Sequence, residues 1–196
     1  MQPRAVLHRA DQTVVRLQCA VTLSSVQWVV DEIDFAFTYL QSPRVRLEID
    51  SPGGDLDGLR CFLQHARRWG RDGRVLATHS TIGASSAAAI MLTFGTVGHR
   101  SAHADAQLTW HYSRVHIAAS SSMTADALSR HHAALERADR AVFEQVLRQV
   151  RSAPQAPAVV HDDDFPDRLH RLWAADEPLS AACACAVGLI DEVTDV

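Results

Sequence analysis

The stretch RVRLEIDSPGGDLDGLRCFLQHARRWGRDGRVLATHS, residues 44–80, contains one complete strand–helix–strand unit. RVRLEID (44–50) alternates charged and apolar residues with the period of a half-buried strand. SPGG (51–54) is a turn. Leu56, Leu59, Leu63 and Ala66 then recur at helical spacing until Gly70 and Gly73 bracket the end. RVLATHS (74–80) is the next strand. Two strands joined by an amphipathic helix imply a parallel crossover, and so a layered α/β fold.

The alternation extends in both directions. Upstream, TVVRLQCAV (13–21) reads as a strand. Ser24 and Ser25 then cap a helix that carries Val26, Val29, Val30, Ile33, Phe37 and Leu40 on one face and stops at Pro43. Downstream of Gly83, SSAAAIMLTFG is a short and almost wholly apolar helix, expected to be buried. Short strands are expected around 96–101 and 106–111. The longest helical pattern, 123–150, is expected to turn Leu128, Leu135, Val142, Phe143, Val146, Leu147 and Val150 inward. SAPQAPAVVHDDDFP (152–166) reads as a loop, and a short last helix ends at Gly188 before the strand LIDEV (189–193). The expectation is an α/β fold of strand–helix units on a largely parallel sheet. It forms a single domain over residues 13–196, preceded by a short segment, 1–12.

Composition narrows the chemistry. The 196 residues are 47% hydrophobic and 21% charged, with a net charge of −4, enough to bury a core and too balanced for disorder. That balance gives no basic footprint for nucleic acid or an anionic membrane. All 19 basic side chains are arginine; lysine and asparagine are absent. A Schiff-base lysine, a P-loop lysine, a serine–lysine dyad and N-glycosylation are thereby excluded. Cys19, Cys61, Cys183 and Cys185 supply one C-x-C pair with no second pair to complete a zinc site, so neither a metal, a cofactor nor a disulfide framework is expected. MQPRAVLHRADQ (1–12) lacks the apolar centre of a signal peptide, and no apolar run has the length of a membrane span. A cytoplasmic protein is the expectation.

Two glycine-bearing turns, each following a predicted strand, are the places where chemistry can sit. At Ile49-Asp50-Ser51-Pro52-Gly53-Gly54 the paired glycines free backbone N–H groups to point at an anion or a developing oxyanion. At Thr81-Ile82-Gly83-Ala84-Ser85-Ser86 a hydroxyl opens a helix, either as a plain N-cap or as a nucleophile in a positive field. Gly83, Ala84, Ala87, Ala88 and Ala89 leave room for another backbone to approach. With no lysine, a serine nucleophile needs a histidine base. Of the 11 histidines, His111 ends a predicted apolar strand, His79 ends the strand before the serine turn, and His131 and His132 lie on the long helix. Pattern alone leaves that choice open.

The run from Ile49 to His111 resembles the proteolytic subunit of the Clp protease, a serine peptidase of the ClpP/crotonase fold. SPGG (51–54) matches that family's glycine turn, and Ala84-Ser85-Ser86-Ala87-Ala88-Ala89 falls on its A-A-S-M-G-A motif. Leu92-Thr93-Phe94-Gly95 with Gly98-His99-Arg100 matches L-T-A-G and G-K-R, and Trp110-His111 falls on the histidine of M-I-H-Q-P. Leu179-Ser180-Ala181 and Gly188-Leu189-Ile190-Asp191 match L-S-A and G-L-V-D in one ungapped register. The resemblance covers about residues 13–196. It implies Ser86 as nucleophile, His111 as general base and Asp176 as its orienting partner, with the backbone amides of Gly54 and Ala87 as oxyanion hole.

The same resemblance implies polypeptide substrates, a homo-oligomeric ring of seven or a stacked pair of such rings, and an ATP-dependent unfoldase as partner. The helix at 123–150 is expected to protrude and stack the rings. The chain departs from the family at Ala87-Ala88 (Met-Gly there) and at Tyr112-Ser113 (Gln-Pro there). SRVHIAASSSM (113–123) is poorer in glycine than the family's substrate-pairing strand, and the interval from His111 to Asp176 is longer. Ser85 competes with Ser86, and Asp162, Asp163, Asp164, Asp167 and Asp191 compete with Asp176. Two other functions stay open: a non-catalytic structural subunit of a mixed ring, and an acyl-CoA enzyme of the related crotonase fold. A membrane signal peptide peptidase is excluded by the missing lysine and membrane span.

Overall fold

The computed structural model describes residues 6–8, 12–114, 124–153 and 156–195. Most of the segment 1–12 and most of the 113–123 stretch lie outside them. The protein is a mixed α/β structure. A six-stranded sheet has the order β1 (Val6–His8), β2 (Thr13–Leu17), β3 (Arg44–Ile49), β4 (Val75–Ser80), β6 (Arg100–His103) and β9 (Glu192–Thr194). Only the β1–β2 edge pair of this sheet is antiparallel; the other neighbours run parallel. A second, three-stranded sheet joins β5 (Gly83–Ser85), β7 (Gln107–Thr109) and β8 (Leu179–Ser180).

Helices α1 (Leu23–Thr38), α2 (Leu56–Arg71) and α3 (Ala87–Thr93) connect successive parallel strands. Because such crossovers are right-handed and the strand order advances one way, all three pack on one face of the sheet. Val45, Leu47 and Ile49 of β3 point at them and are fully buried, together with Val26, Val29 and Ile33 of α1 and Leu59 and Phe62 of α2. The expected strand at 13–21 ends at Leu17, and Val21 instead bridges to Gly54. The cap of α1 is Thr22 rather than Ser24 or Ser25. Its hydroxyl accepts from the Ser25 amide at 3.1 Å while the Ser25 hydroxyl accepts from the Thr22 amide at 2.9 Å, a reciprocal capping box.

The long helix α4 (Ala125–Arg151) buries only Ala138, Val142, Val146 and Val150. Leu128, expected to face inward, is 44% exposed, and Leu135 is half-buried, because the buried positions of the helix begin only at Ala138. The expected loop at 152–166 contains a 3₁₀ turn (Ala158–His161) and the start of α5 (Phe165–Ala175). Pro166 stands in the first turn, where its missing N–H costs nothing, and Phe165, Leu169 and Trp173 form the buried face. After α6 (Ala181–Ala186) the chain reaches β9, and just before that strand Asp191 accepts from the backbone amides of Gly98 and Arg100 and from the Arg100 guanidinium. Among the described residues no helix is long and apolar enough to cross a membrane.

Candidate active site

The small three-stranded sheet builds the site. β5 runs parallel to β7 with Ser85 opposite Thr109, and the Ser86 amide donates to the Thr109 carbonyl at 2.8 Å. Ser86 therefore leaves the end of one strand beside the segment that leads to His111. β8 pairs antiparallel with β7, Leu108 opposite Leu179 and Gln107 opposite Ser180. The ladder stops there, and Asp176, three residues before β8, is the C-cap of the preceding helix α5 (Phe165–Ala175). The small sheet thus brings Ser86 and His111 to one cavity, whereas Asp176 stands outside its lining.

Ser86 occupies the N-cap position of α3, but its side chain makes no capping hydrogen bond. Its backbone, at φ 57° and ψ −128°, lies where L residues rarely go. A non-glycine residue held in such a region costs on the order of 1–3 kcal/mol and persists where the surroundings enforce it. The SPGG turn packs directly against Ser86. A Cβ on Gly53 would stand 2.6 Å from the Ser86 Cβ, 2.5 Å from the Ser85 carbonyl oxygen and 3.2 Å from the Ala87 amide nitrogen. Gly54 is pressed as closely on the other side: its Cβ would fall 1.9 Å from the Val21 carbonyl oxygen. Only glycine lets this turn thread between the two segments. Neither the Gly54 amide nor the Ala87 amide donates to a protein acceptor among the described residues, so both are available to an anion beside Ser86.

A cavity of about 560 Å³ opens here. Its lining includes Gly53, Gly54, Ser86, Ala87 and His111 together with Leu56, Leu59, Ile90, Leu135, Val142 and Trp173. Ser85 does not line it. The Nδ1 atom of His111 lies 2.7 Å from the Tyr112 carbonyl oxygen. Asp176 sits in the left-handed conformation (φ 56°, ψ 33°) at the end of α5, and its carboxylate accepts from Arg114 rather than from His111.

The competing residues lie elsewhere. Asp162 and Asp164 pair with Arg168, and Asp191 pairs with Arg100. Asp163 and Asp167 are exposed and absent from the cavity lining. His79 bonds Ser101 on the far face of the main sheet, and His132 faces Glu136 on the surface of α4.

Sequence reasoning missed Asp139, which lines the same cavity. Its carboxylate accepts from the Ser113 amide at 3.1 and 3.2 Å and from the Ser113 hydroxyl at 2.6 Å. The available signal was the helical face formed by Leu135, Asp139 and Val142, a charge set between apolar neighbours. Burial first, and then the negative charge of Asp139, push the Tyr112 phenol up to about 12.

All four cysteines are free, and among the described residues no group of three or more His, Cys, Asp or Glu side chains could hold a metal ion. A larger cleft of about 950 Å³, between the end of α2 and Gly95-Thr96, contains none of the candidate site residues. Neither a protein-family model nor a curated protein matches the chain.

Proposed function

We propose that the chain is a serine endopeptidase resembling the Clp proteolytic subunit, of the ClpP/crotonase fold, hydrolysing peptide bonds of unfolded or short polypeptides. The observation that carries this reading is Ser86: a strained, uncapped serine beside two unengaged amides, in one cavity with His111. The Tyr112 carbonyl can only accept, so His111 Nδ1 holds the proton and Nε2 keeps its lone pair. Nε2 takes the Ser86 proton as Oγ attacks the peptide carbonyl. The Gly54 and Ala87 amides receive the tetrahedral oxyanion, and the imidazolium returns the proton to the leaving amine. Water, activated by the same nitrogen, then hydrolyses the acyl-enzyme. Asp176 completes a triad by passing its carboxylate from Arg114 to the Nδ1–H of His111, which it shares with the Tyr112 carbonyl, and so stabilises the imidazolium.

The reading extends to a cytoplasmic, homo-oligomeric ring, a heptamer or two stacked heptamers, fed by an ATP-dependent unfoldase. An assembly is supported by apolar surface on α1, where the Phe35 and Tyr39 rings stack at 5.4 Å and Tyr39 is 76% exposed. The exposed first half of α4 supports a second contact.

A fluorophosphonate probe, mapped by mass spectrometry on wild type, Ser85→Ala, Ser86→Ala and His111→Ala, tests the reading. An adduct on Ser86 that vanishes without His111 is expected. Folded, assembled protein with no adduct on either serine would overturn it. The alternative, a non-catalytic structural subunit of a mixed ring, would then lead; one observation already favours it, the engagement of Asp176 by Arg114 instead of His111.

A further inference from the structure

The cavity behind Ser86 has a chemical character of its own. Leu59, Ile90 and Val142 give it apolar walls, and Asp139 places a carboxylate among them. That carboxylate is held by the Ser113 amide and hydroxyl, two neutral donors that fix its orientation without cancelling its charge. Among the described residues no cationic side chain forms an ion pair with Asp139. Arg114, which also lines the cavity, spends its charge on Asp176. Asp55, the other carboxylate of the lining, caps α2 through the Gly58 amide at 2.6 Å and adds to the negative balance.

We infer that this cavity is a specificity pocket for a side chain with an apolar stem and a cationic head, arginine or lysine, and that Asp139 reads the charge. The inference rests on the peptidase reading of Ser86 and supplies its substrate class: bonds that follow a basic residue. The stem of such a side chain lies along Leu59, Ile90 and Val142, while its head exchanges water for a fixed carboxylate. A neutral side chain of the same shape would gain the first contact and leave Asp139 desolvated and unmatched, which is the basis of discrimination.

Two measurements test it separately from the peptidase reading. The first is calorimetric binding of benzamidine against its neutral isostere benzamide, to assembled wild type and to Asp139→Asn, a variant that keeps an acceptor for Ser113. Benzamidine is expected to bind about tenfold or more tightly than benzamide, with the preference lost in the variant. Equal binding of the two, no binding of either, or a preference that survives Asp139→Asn overturns the inference. The second is cleavage of paired fluorogenic peptides with arginine or citrulline before the scissile bond. A ratio of kcat/KM of about tenfold or more for arginine, falling to about one in Asp139→Asn, supports it. Equal cleavage of both by the wild type overturns it. Unlabelled Ser86 with Asp139-dependent benzamidine binding would remove the peptidase reading and leave the cation pocket standing.

Discussion

The Nδ1 atom of His111 and the carbonyl oxygen of Tyr112 are hydrogen-bonded at 2.7 Å, so the backbone itself sets the tautomer that leaves Nε2 free. In serine peptidases where only a carboxylate holds that tautomer, replacing it by the amide costs roughly 10⁴ in kcat, because the imidazole then flips its proton to the wrong nitrogen. Here the carbonyl guards against that loss. Asp176→Asn is expected to lower the acylation rate of Ser86 by about 10- to 100-fold, the share left to stabilising the imidazolium. Stopped-flow acylation with an activated ester checks it; a loss near the full factor would mean that the Tyr112 bond does not survive acylation of Ser86.

Arg114 competes with His111 for the same carboxylate. Its side chain is 56% exposed and that of Asp176 is 36% exposed, which places the pair among solvent-screened bridges worth about 1 kcal/mol or less. Arg114→Gln releases Asp176, and acylation is expected to accelerate, by at most about fivefold for a contribution of that size. The gain should vanish in Arg114→Gln combined with Asp176→Asn. A variant slower than wild type would assign Arg114 a positive role at the site instead.

How much of this is visible in the sequence depends on whether a residue's partners are local. The β3–α2–β4 unit is legible because alternation in RVRLEI and the helical spacing of Leu56, Leu59 and Leu63 each report burial on one face. Strands β5, β7 and β8 are two or three residues long and carry no period, although β5 and β7 position Ser86 and His111. Helix α5 was hidden under a Pro- and Asp-rich composition whose proline is harmless in a first turn. The inward face of α4 was overextended to Leu128 because helical spacing says nothing of where the opposing core ends. Asp139 was missed for a related reason: its partner Ser113 lies 26 residues earlier in the chain.

Strain at Ser86 makes a prediction independent of catalysis. Glycine adopts φ 57° freely, and relieving a strained position is worth about 1–3 kcal/mol against the roughly 0.5–1 kcal/mol lost to extra freedom in the unfolded chain. Ser86→Gly is expected to raise Tm by about 2–4 °C for a net gain near 1 kcal/mol. Ser86→Ala, still a β-carbon residue, should melt with the wild type. Both should lose the fluorophosphonate adduct. Ser86→Gly melting below Ser86→Ala would show that the backbone there is unstrained.

Arg100, 1% exposed, is matched by Asp191 alone among the described carboxylates. Burial raises the Asp191 carboxyl, but hydrogen bonds and charge from Arg100, with the Gly98 amide, outweigh it and hold the group below the usual carboxylate range. A depressed folded value means the contribution is complete at neutral pH and is lost as pH falls through that low value. Asp191→Asn leaves a buried guanidinium unmatched and is expected to cost about 3 kcal/mol at pH 7 in urea denaturation. The deficit should stay level down to about pH 4 and narrow below it, as the wild-type carboxyl takes up its proton. A deficit that grows on acidification would contradict the assigned direction.

His79 acts in the same direction at higher pH. It lies on the far face of the main sheet, in register with Glu48 on one side and Ser101 on the other, and it is 5% exposed. Burial, with Arg46 adding repulsion, lowers its pKa from 6.5 to about 4, so the folded protein keeps the ring neutral. Between those values the unfolded chain binds more protons than the fold, and stability must fall as pH falls through that window. The difference amounts to about 3 kcal/mol by pH 4, at 1.36 kcal/mol per unit. His79→Gln keeps a partner for the Ser101 hydroxyl, found 2.9 Å from Nδ1, but cannot titrate. Its urea midpoint is therefore expected to change less between pH 7 and pH 4.5 than that of the wild type. Parallel curves for the two proteins would place the acid-sensitive proton uptake on another group.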